Sequence, residues 1–197
     1  PQCCHQAGDL EWGPNQTIFI STGDTGQSST RPDLELPQTR IQAFVERNNL
    51  DGYHWSRITD SERTSQNLQD LREKVLRINK DGSIPRDNPM YGRAGVRWEI
   101  YAYGLRNPYR IKYDAPSGRV YIGIVGPDEQ TTYDWYDVSV EGGENFGWPG
   151  ATGRLFYNEW TPQQIPNYVP PLWEYTYEKG GRSVNFGPIY RTVGVNG

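Results

Sequence analysis

Cysteine is almost missing from this sequence of 197 residues: Cys3 and Cys4 are the only two, and they are adjacent. Adjacent cysteines exclude a framework of bridges between distant segments, and neither the paired CxxC of a zinc site nor the CxxCH of haem attachment is present. A vicinal disulfide and two reduced thiols both stay open. Long apolar runs are missing as well, since no stretch approaches the ~20 consecutive apolar residues of a membrane span. An excess of positive charge is missing too. Twenty Lys and Arg against 24 Asp and Glu give a net charge of −4, with no basic run. That speaks against a nucleic-acid or membrane-surface footprint and favours a small polar ligand. Histidine is scarce, with only His5 and His54.

Turn formers and aromatics are what the sequence has in quantity. It carries 22 Gly and 15 Pro beside 7 Trp, 14 Tyr and 5 Phe, a mixture that favours short strands and tight turns over long helices or disorder. From Asp9 the residues run DLEW, GPNQ, TIFIS, which reads as a hairpin. The phrase recurs at 109–124 as YRIKYDAPSGRVYIGI, and KVLRINKDGSI at 74–84 closes on another Asp-Gly turn. WEIYAYGL at 98–105 and WEYTY at 173–177 are further strand candidates, and SVNFGPIYR at 183–191 reads as the first arm of another hairpin. Two stretches depart from this pattern. Residues 38–49 and 65–73 space their apolar residues as short helices would. The Pro-, Ser- and polar-rich insertions at 27–64 and 151–171 read as long loops at a rim. The fold class is therefore all-β, and repeated hairpins interrupted by long loops suit a propeller. Because a strand-like segment begins by Asp9, the chain is expected to be part of something longer.

Several residues could carry chemistry. His5 lies just before a strand, where an imidazole could act as general base; a hydrogen-bonded structural histidine is the plainer alternative. His54 reads as structural or solvent-facing. Asp24, among the glycines that end TIFIS, could orient a histidine or bond its own backbone. Arg106-Asn107-Pro108 ends a strand and would hold a guanidinium near a turn, suited to an anionic oxygen or paired with a nearby acid. Gly126-Pro127-Asp128-Glu129, with Asp134 and Asp137 beyond it, offers carbonyls and carboxylates to calcium without EF-hand spacing. EGGENFGWPG at 141–150 reads as a loop packing Phe146 and Trp148 against the body. The sequon Asn15-Gln16-Thr17 matters only on a glycosylating secretory route.

In order and spacing, these segments resemble the soluble quinoprotein sugar dehydrogenases, the family of glucose, aldose-sugar and sorbosone dehydrogenases that use pyrroloquinoline quinone. The likeness is carried across residues 3–150 by His5-Gln6-Ala7-Gly8 with GPNQTIFISTGD, then KVLRINKDGSIPRDNP, YGLRNPYRIKYD, VGP and NFGWP. Beyond 151 the clear phrase is GGRSVNFGPIYR, which contains Arg182.

The resemblance implies a six-bladed β-propeller with the quinone lying flat over the axis. A blade takes ~40–50 residues, so residues 1–197 are expected to be a central portion of one propeller domain, about three blades, with short helices in long loops. It implies a quinoprotein enzyme that oxidises a sugar by hydride transfer to calcium-bound pyrroloquinoline quinone and passes electrons to an external acceptor, a quinone or a cytochrome. A periplasmic or extracellular location follows from the same likeness. His5 matches the base that takes the proton from the sugar hydroxyl, and Asp24 the acid that holds it. Arg106 matches the cation beside the reactive carbonyl of the quinone. Asn107, Pro127 and Arg182 are implied as further cofactor contacts, and Gly126 and Pro127 as carbonyl ligands of calcium. The family often continues Gly-Pro with Asp-Glu-Ile-Asn, whereas this sequence reads DEQTTYDWYDVSV, so Asp134 and Asp137 are the nearest acidic candidates for the metal. The altered loop and the missing blades motivate one competing expectation, a propeller kept as a binding or surface-assembly module without turnover.

Overall fold

The computed structural model describes residues 5, 8–24, 64–126, 133–139, 141–156, 161–176, 185 and 187–191. Strands β1 (Leu10–Trp12), β2 (Thr17–Thr22), β3 (Lys74–Asn79) and β4 (Ile100–Ala102) form one sheet in that order. Strands β5 (Pro108–Asp114), β6 (Arg119–Ile124), β7 (Tyr133–Ser139) and β10 (Trp173–Thr176) form a second, and β8 (Ala151–Thr152) pairs with β9 (Leu155–Phe156) in a small third. Every pairing between these strands is antiparallel. The hairpins read at 9–21 and 109–124 thus supply the first two strands of two different four-stranded sheets. Such consecutive meanders are the repeating unit of a propeller, although two of them do not close a ring.

Alternation explains where β2 points. Thr17, Phe19 and Ser21 are buried while Ile18, Ile20 and Thr22 are half-buried, as a pleated strand between two unequal faces requires. The β1–β2 connection is a 3-10 turn, Pro14–Gln16, in which Asn15 takes the left-handed φ of 54°. The β5–β6 turn closes with the Gly118 amide donating to Asp114 O at 2.8 Å, and Gly118 supplies the φ of 71° that the turn demands. One apolar cluster draws on both sheets: Phe19, Val75, Tyr101 and Leu105 pack with Ile111, Val120, Ile122 and Ile124. Phe19 meets Tyr101 edge-on with ring centroids 4.9 Å apart, a favoured aromatic geometry.

Polar links bring the first strands of the two sheets together. Lys112 Nζ lies 2.6 Å from Glu11 Oε1, Arg110 Nη1 lies 3.4 Å from Asp9 Oδ1, and the Ile111 amide donates to Asp9 Oδ2 at 3.3 Å. These bonds lay β1 and the residue before it, Asp9, along β5.

Residues 65–73 form a series of turns, not the expected helix. The reason is local competition for backbone donors: Asn67 Oδ1 accepts from the Gln69 amide at 3.0 Å and Asp70 Oδ1 from the Arg72 amide at 2.9 Å, so side chains hold the chain in turns. The apolar spacing still has a use, since Leu68 and Leu71 pack on a second cluster built on Leu76, Met90, Ile100 and Tyr103. The strand expected over 98–105 is confined to Ile100–Ala102. The helix expected over 38–49 lies outside the described residues, as do His54, Cys3, Cys4 and, but for residue 64, the insertion 27–64. The insertion 151–171 contains β8, β9 and a 3-10 turn over Pro162–Gln164. Of 183–191, the described residues Asn185 and 187–191 form no strand; Arg191 pairs with Asp114.

Candidate active site

Three segments converge where β2 ends and β5 begins. Gly23 makes the meeting possible, because a Cβ on it would stand 2.2 Å from His5 O and 2.6 Å from Asn107 Oδ1, closer than any side chain tolerates. His5, at a left-handed φ of 56°, presents its Nδ1 to Asp24 Oδ1 at 3.1 Å. Asp24 is enclosed, whereas the imidazole keeps 22% of its side-chain surface. With Asp24 accepting the Nδ1 proton, the neutral ring carries its lone pair on Nε2. The other Asp24 oxygen, Oδ2, lies 3.8 Å from Arg106 Nε. The carboxylate therefore stands between the imidazole and the guanidinium.

Arg106 is buried and positioned from three sides. Its Nη1 donates to Gly126 O at 2.7 Å and to Val125 O at 3.1 Å, and its guanidinium carbon sits 5.9 Å from the centre of the Trp148 ring. Val125 N in turn donates to Asn107 O at 3.0 Å, which pins the Arg106-Asn107 turn to the end of β6. Among the described residues, Asn107 Oδ1 and Arg106 Nε are buried without a hydrogen-bond partner. Buried polar atoms are costly when unsatisfied. Arg106 Nε faces Asp24 Oδ2 at 3.8 Å, whereas a planar molecule with a donor would satisfy the Asn107 oxygen, so this residue fits the quinone that the resemblance implies.

A matching family model settles the relationship. The model for glucose/sorbosone dehydrogenases matches residues 48–184. The chain belongs to this family. A glucose/sorbosone dehydrogenase relative, quinoprotein glucose dehydrogenase B of Acinetobacter calcoaceticus, is 34% identical over 149 residues, which is 76% of this chain and 27% of the relative. The aldose sugar dehydrogenase YliI of Escherichia coli K12 is 33% identical over 96 residues, 48% of this chain and 24% of that protein. Among solved structures, an oxidoreductase of Thermus thermophilus described as a glucose dehydrogenase superposes with a TM-score of 0.61 at 25% identity, over 89% of this chain and 40% of that one. The chain spans about a quarter of the curated relatives' length.

The other candidates fall in different places. Pro127 and Arg182 lie outside the described residues. Asp134 sits on β7, one position beyond the Ile124–Trp135 pair and opposite Tyr175 of β10; its side chain lies outside the described residues. Asp137 is fully buried on β7 opposite Ile122, and its charge, after burial, helps push the Tyr168 hydroxyl up to about 12. It is therefore a core carboxylate of the second sheet. The Gly126 carbonyl already accepts from a guanidinium at 2.7 Å, and a divalent cation on that oxygen would sit against the arginine's charge. Among the described residues no three His, Cys, Asp or Glu side chains cluster as metal ligands. The described residues thus fit the quinone and do not fit calcium at Gly126. Phe146 and Trp148 are buried, and Trp148 also backs the guanidinium. Asn15 is exposed at the tip of the first hairpin. A shallow groove of about 580 Å³, lined by Arg93, Glu141, Glu144, Asn167 and Tyr168 among others, includes none of His5, Asp24, Arg106 or Asn107.

The sequence reading missed the residues behind Asp24. Glu73 and Lys74 are completely buried, and Lys74 Nζ donates to Thr64 O at 2.7 Å and Arg72 O at 2.8 Å. Burial pushes the Glu73 carboxyl well above the usual carboxylate range, with Asp24 adding to the rise, and pulls Lys74 down to about 8. The signal available was the charged pair Glu73-Lys74 at the entry to β3, which reads more simply as a solvated strand end.

Proposed function

We propose that the full-length protein oxidises an aldose or related sugar by hydride transfer to bound pyrroloquinoline quinone, with electrons passing to an external quinone or cytochrome. The observation that carries this reading is the row His5, Asp24, Arg106, in which one enclosed carboxylate faces both an imidazole and a guanidinium. Family membership and the quinoprotein named among the relatives support the same chemistry.

His5 Nε2 takes the proton from the hydroxyl of the carbon being oxidised. Asp24 holds the ring in the tautomer that makes this possible and stabilises the imidazolium that forms, as an orienting carboxylate does in other base-assisted sites. Arg106 presents a fixed positive charge where negative charge develops, and because it is buried it needs little reorganisation at the moment of reaction. Asn107 offers its buried amide oxygen to a donor on the bound molecule. When bound, the quinone accepts the hydride from the sugar carbon. Pro127 and Arg182 are assigned to the same pocket on the family likeness.

Calcium at Gly126, Pro127 and Asp134, which the family likeness implies, is not part of the proposed step, because the Gly126 carbonyl accepts from the Arg106 guanidinium. A periplasmic or extracellular location is assigned on the family likeness alone. The test is reconstitution of the full-length protein with pyrroloquinoline quinone, with and without calcium, followed by aldose-dependent reduction of a dye. Sugar-dependent reduction supports the enzyme reading. No reduction, with an unchanged quinone spectrum, overturns it and leaves the non-catalytic propeller.

A further inference from the structure

Between the two halves of the site runs a segment whose polar side chains are used in a way that stability alone does not require. Thr64 and Ser65 are buried, at 3% and 0% exposure. Thr64 Oγ1 donates to Glu73 Oε2, and Thr64 O accepts from Lys74 Nζ at 2.7 Å. On its other side Ser65 Oγ donates to Leu105 O at 2.9 Å, and Ser65 O accepts from the Gly104 amide at 3.4 Å. Gln66 continues the run, donating through Nε2 to Trp148 O at 2.6 Å and to Asn145 Oδ1 at 2.9 Å.

Each end of this run abuts one half of the site. The β2–β3 ladder ends at the pair Thr22 and Lys74, so Gly23 and Asp24 leave β2 just where Glu73 and Arg72 enter β3. Lys74 N donates to Thr22 Oγ1 at 3.3 Å, fixing that junction. At the other end Leu105 is the residue before Arg106, and Trp148 is the ring beneath its guanidinium. Glu73 itself takes a left-handed φ of 60°, an uncommon conformation for a residue with a side chain, and its Oε1 has no hydrogen-bond partner among the described residues. An apolar filling of the same shape would avoid these desolvation costs.

We propose that Thr64 and Ser65 are positioning residues, a strap of two hydroxyls that fixes the Asp24–His5 half of the site against the Arg106–Asn107 half. The inference rests on the sugar-oxidising reading for its kinetic consequence, but its geometric content stands apart from it. The Thr64 hydroxyl, through Glu73, sets where the β2 end and Asp24 lie. The Ser65 hydroxyl sets where the 105–107 turn lies. Neither touches substrate or quinone.

The experiment uses the full-length protein with Thr64→Val, Thr64→Ser and Ser65→Ala, and takes Ile122→Val, in the core of the second sheet, as the control for lost stability. Thr64→Val is expected to lower kcat by about 10- to 100-fold, the effect of a displacement near 1 Å, while KM for the sugar holds. Thr64→Ser restores the rate because it restores the hydroxyl. Independently of turnover, the NMR resonance of the His5 Nδ1 proton shifts in Thr64→Val and returns in Thr64→Ser, and Ser65→Ala weakens quinone binding by absorbance titration. Ile122→Val changes none of these. Wild-type kcat, His5 resonance and quinone affinity in folded Thr64→Val and Ser65→Ala would overturn the strap. Should Thr64→Val fail to fold, an unchanged quinone titration with Ser65→Ala overturns it alone. If the wild type oxidises no sugar, the function fails, whereas the proton resonance and the titration still decide the strap.

Discussion

Strands β3 and β6 are both interior strands of four-stranded sheets, yet they bury opposite chemistry. Strand β6 encloses Val120, Ile122 and Ile124, all at 0% exposure, whereas β3 encloses Lys74 and Arg77 beside Val75 and Leu76. The β3 cations are satisfied one by one. Lys74 gives its ammonium to two carbonyls. Arg77 lies beside the paired rings of Phe19 and Tyr101, at 5.9 and 6.0 Å from their centres, and bonds Thr17 Oγ1 at 3.3 Å and Asp87 Oδ2 at 3.1 Å. Burying charge costs free energy even when it is paired. The sheet that carries this cost is the one whose β2–β3 end holds Asp24, and the sheet without it supplies the apolar wall. The contrast separates a strand built to place polar groups from one built to exclude water.

Substitutions that cross this divide should differ in kind. The largest effect is expected for Arg106→Ala, which removes the buried cation between the sheets: quinone affinity falls, and kcat falls by about 10²–10³-fold, the range seen when one preorganised electrostatic group is deleted. Quinone titration followed by steady-state kinetics measures both. Next comes Ile122→Ala in β6, expected to cost about 2–5 kcal/mol through lost burial and the cavity left behind, read from the denaturation midpoint at unchanged slope.

Glu73→Gln sharpens the comparison through pH. The folded carboxyl is raised above its unfolded value of 4.5 by burial. Below that value both states hold the proton and no penalty exists. As pH rises past it the unfolded chain releases a proton that the native state keeps, so wild-type stability falls with pH. Lys74 keeps its charge up to about 8, leaving the window between the two free of its titration. The variant removes that falling limb, so its Tm advantage over wild type is expected to grow from acidic to neutral pH; a constant difference would contradict a buried neutral acid. The smallest effect is expected for Arg97→Ala, whose partner Glu99 lies 2.6 Å away on the surface. Exposed pairs contribute about 0–1 kcal/mol, and thermal unfolding in low and high salt checks it.

The hairpins were legible because alternation and Asp-Gly or Pro-Asn turns are local signals, and β2, β5 and β6 follow them. The 65–73 turns were misread because Leu68 and Leu71 have helical spacing, while the Asn67 and Asp70 side chains that undo the helix act by bonding backbone amides, which apolar periodicity does not register. His5, Asp24, Arg106 and Asn107 were legible through family phrases. That Asp24 stands between the imidazole and the guanidinium was not, because the contact spans two sheets and depends on Gly23 having no side chain. Thr64, Glu73 and Lys74 escaped for a related reason: their role follows from the register of β2 on β3, a long-range fact.

The most direct test of the account is a single-turnover measurement on the full-length protein loaded with pyrroloquinoline quinone, comparing wild type with His5→Ala after mixing with an aldose. The account predicts that His5→Ala binds the quinone as wild type does, while the sugar-dependent change in quinone absorbance slows by about 10²–10⁴-fold, the usual contribution of a positioned general base. Reduction of the bound quinone by His5→Ala at the wild-type rate would contradict it.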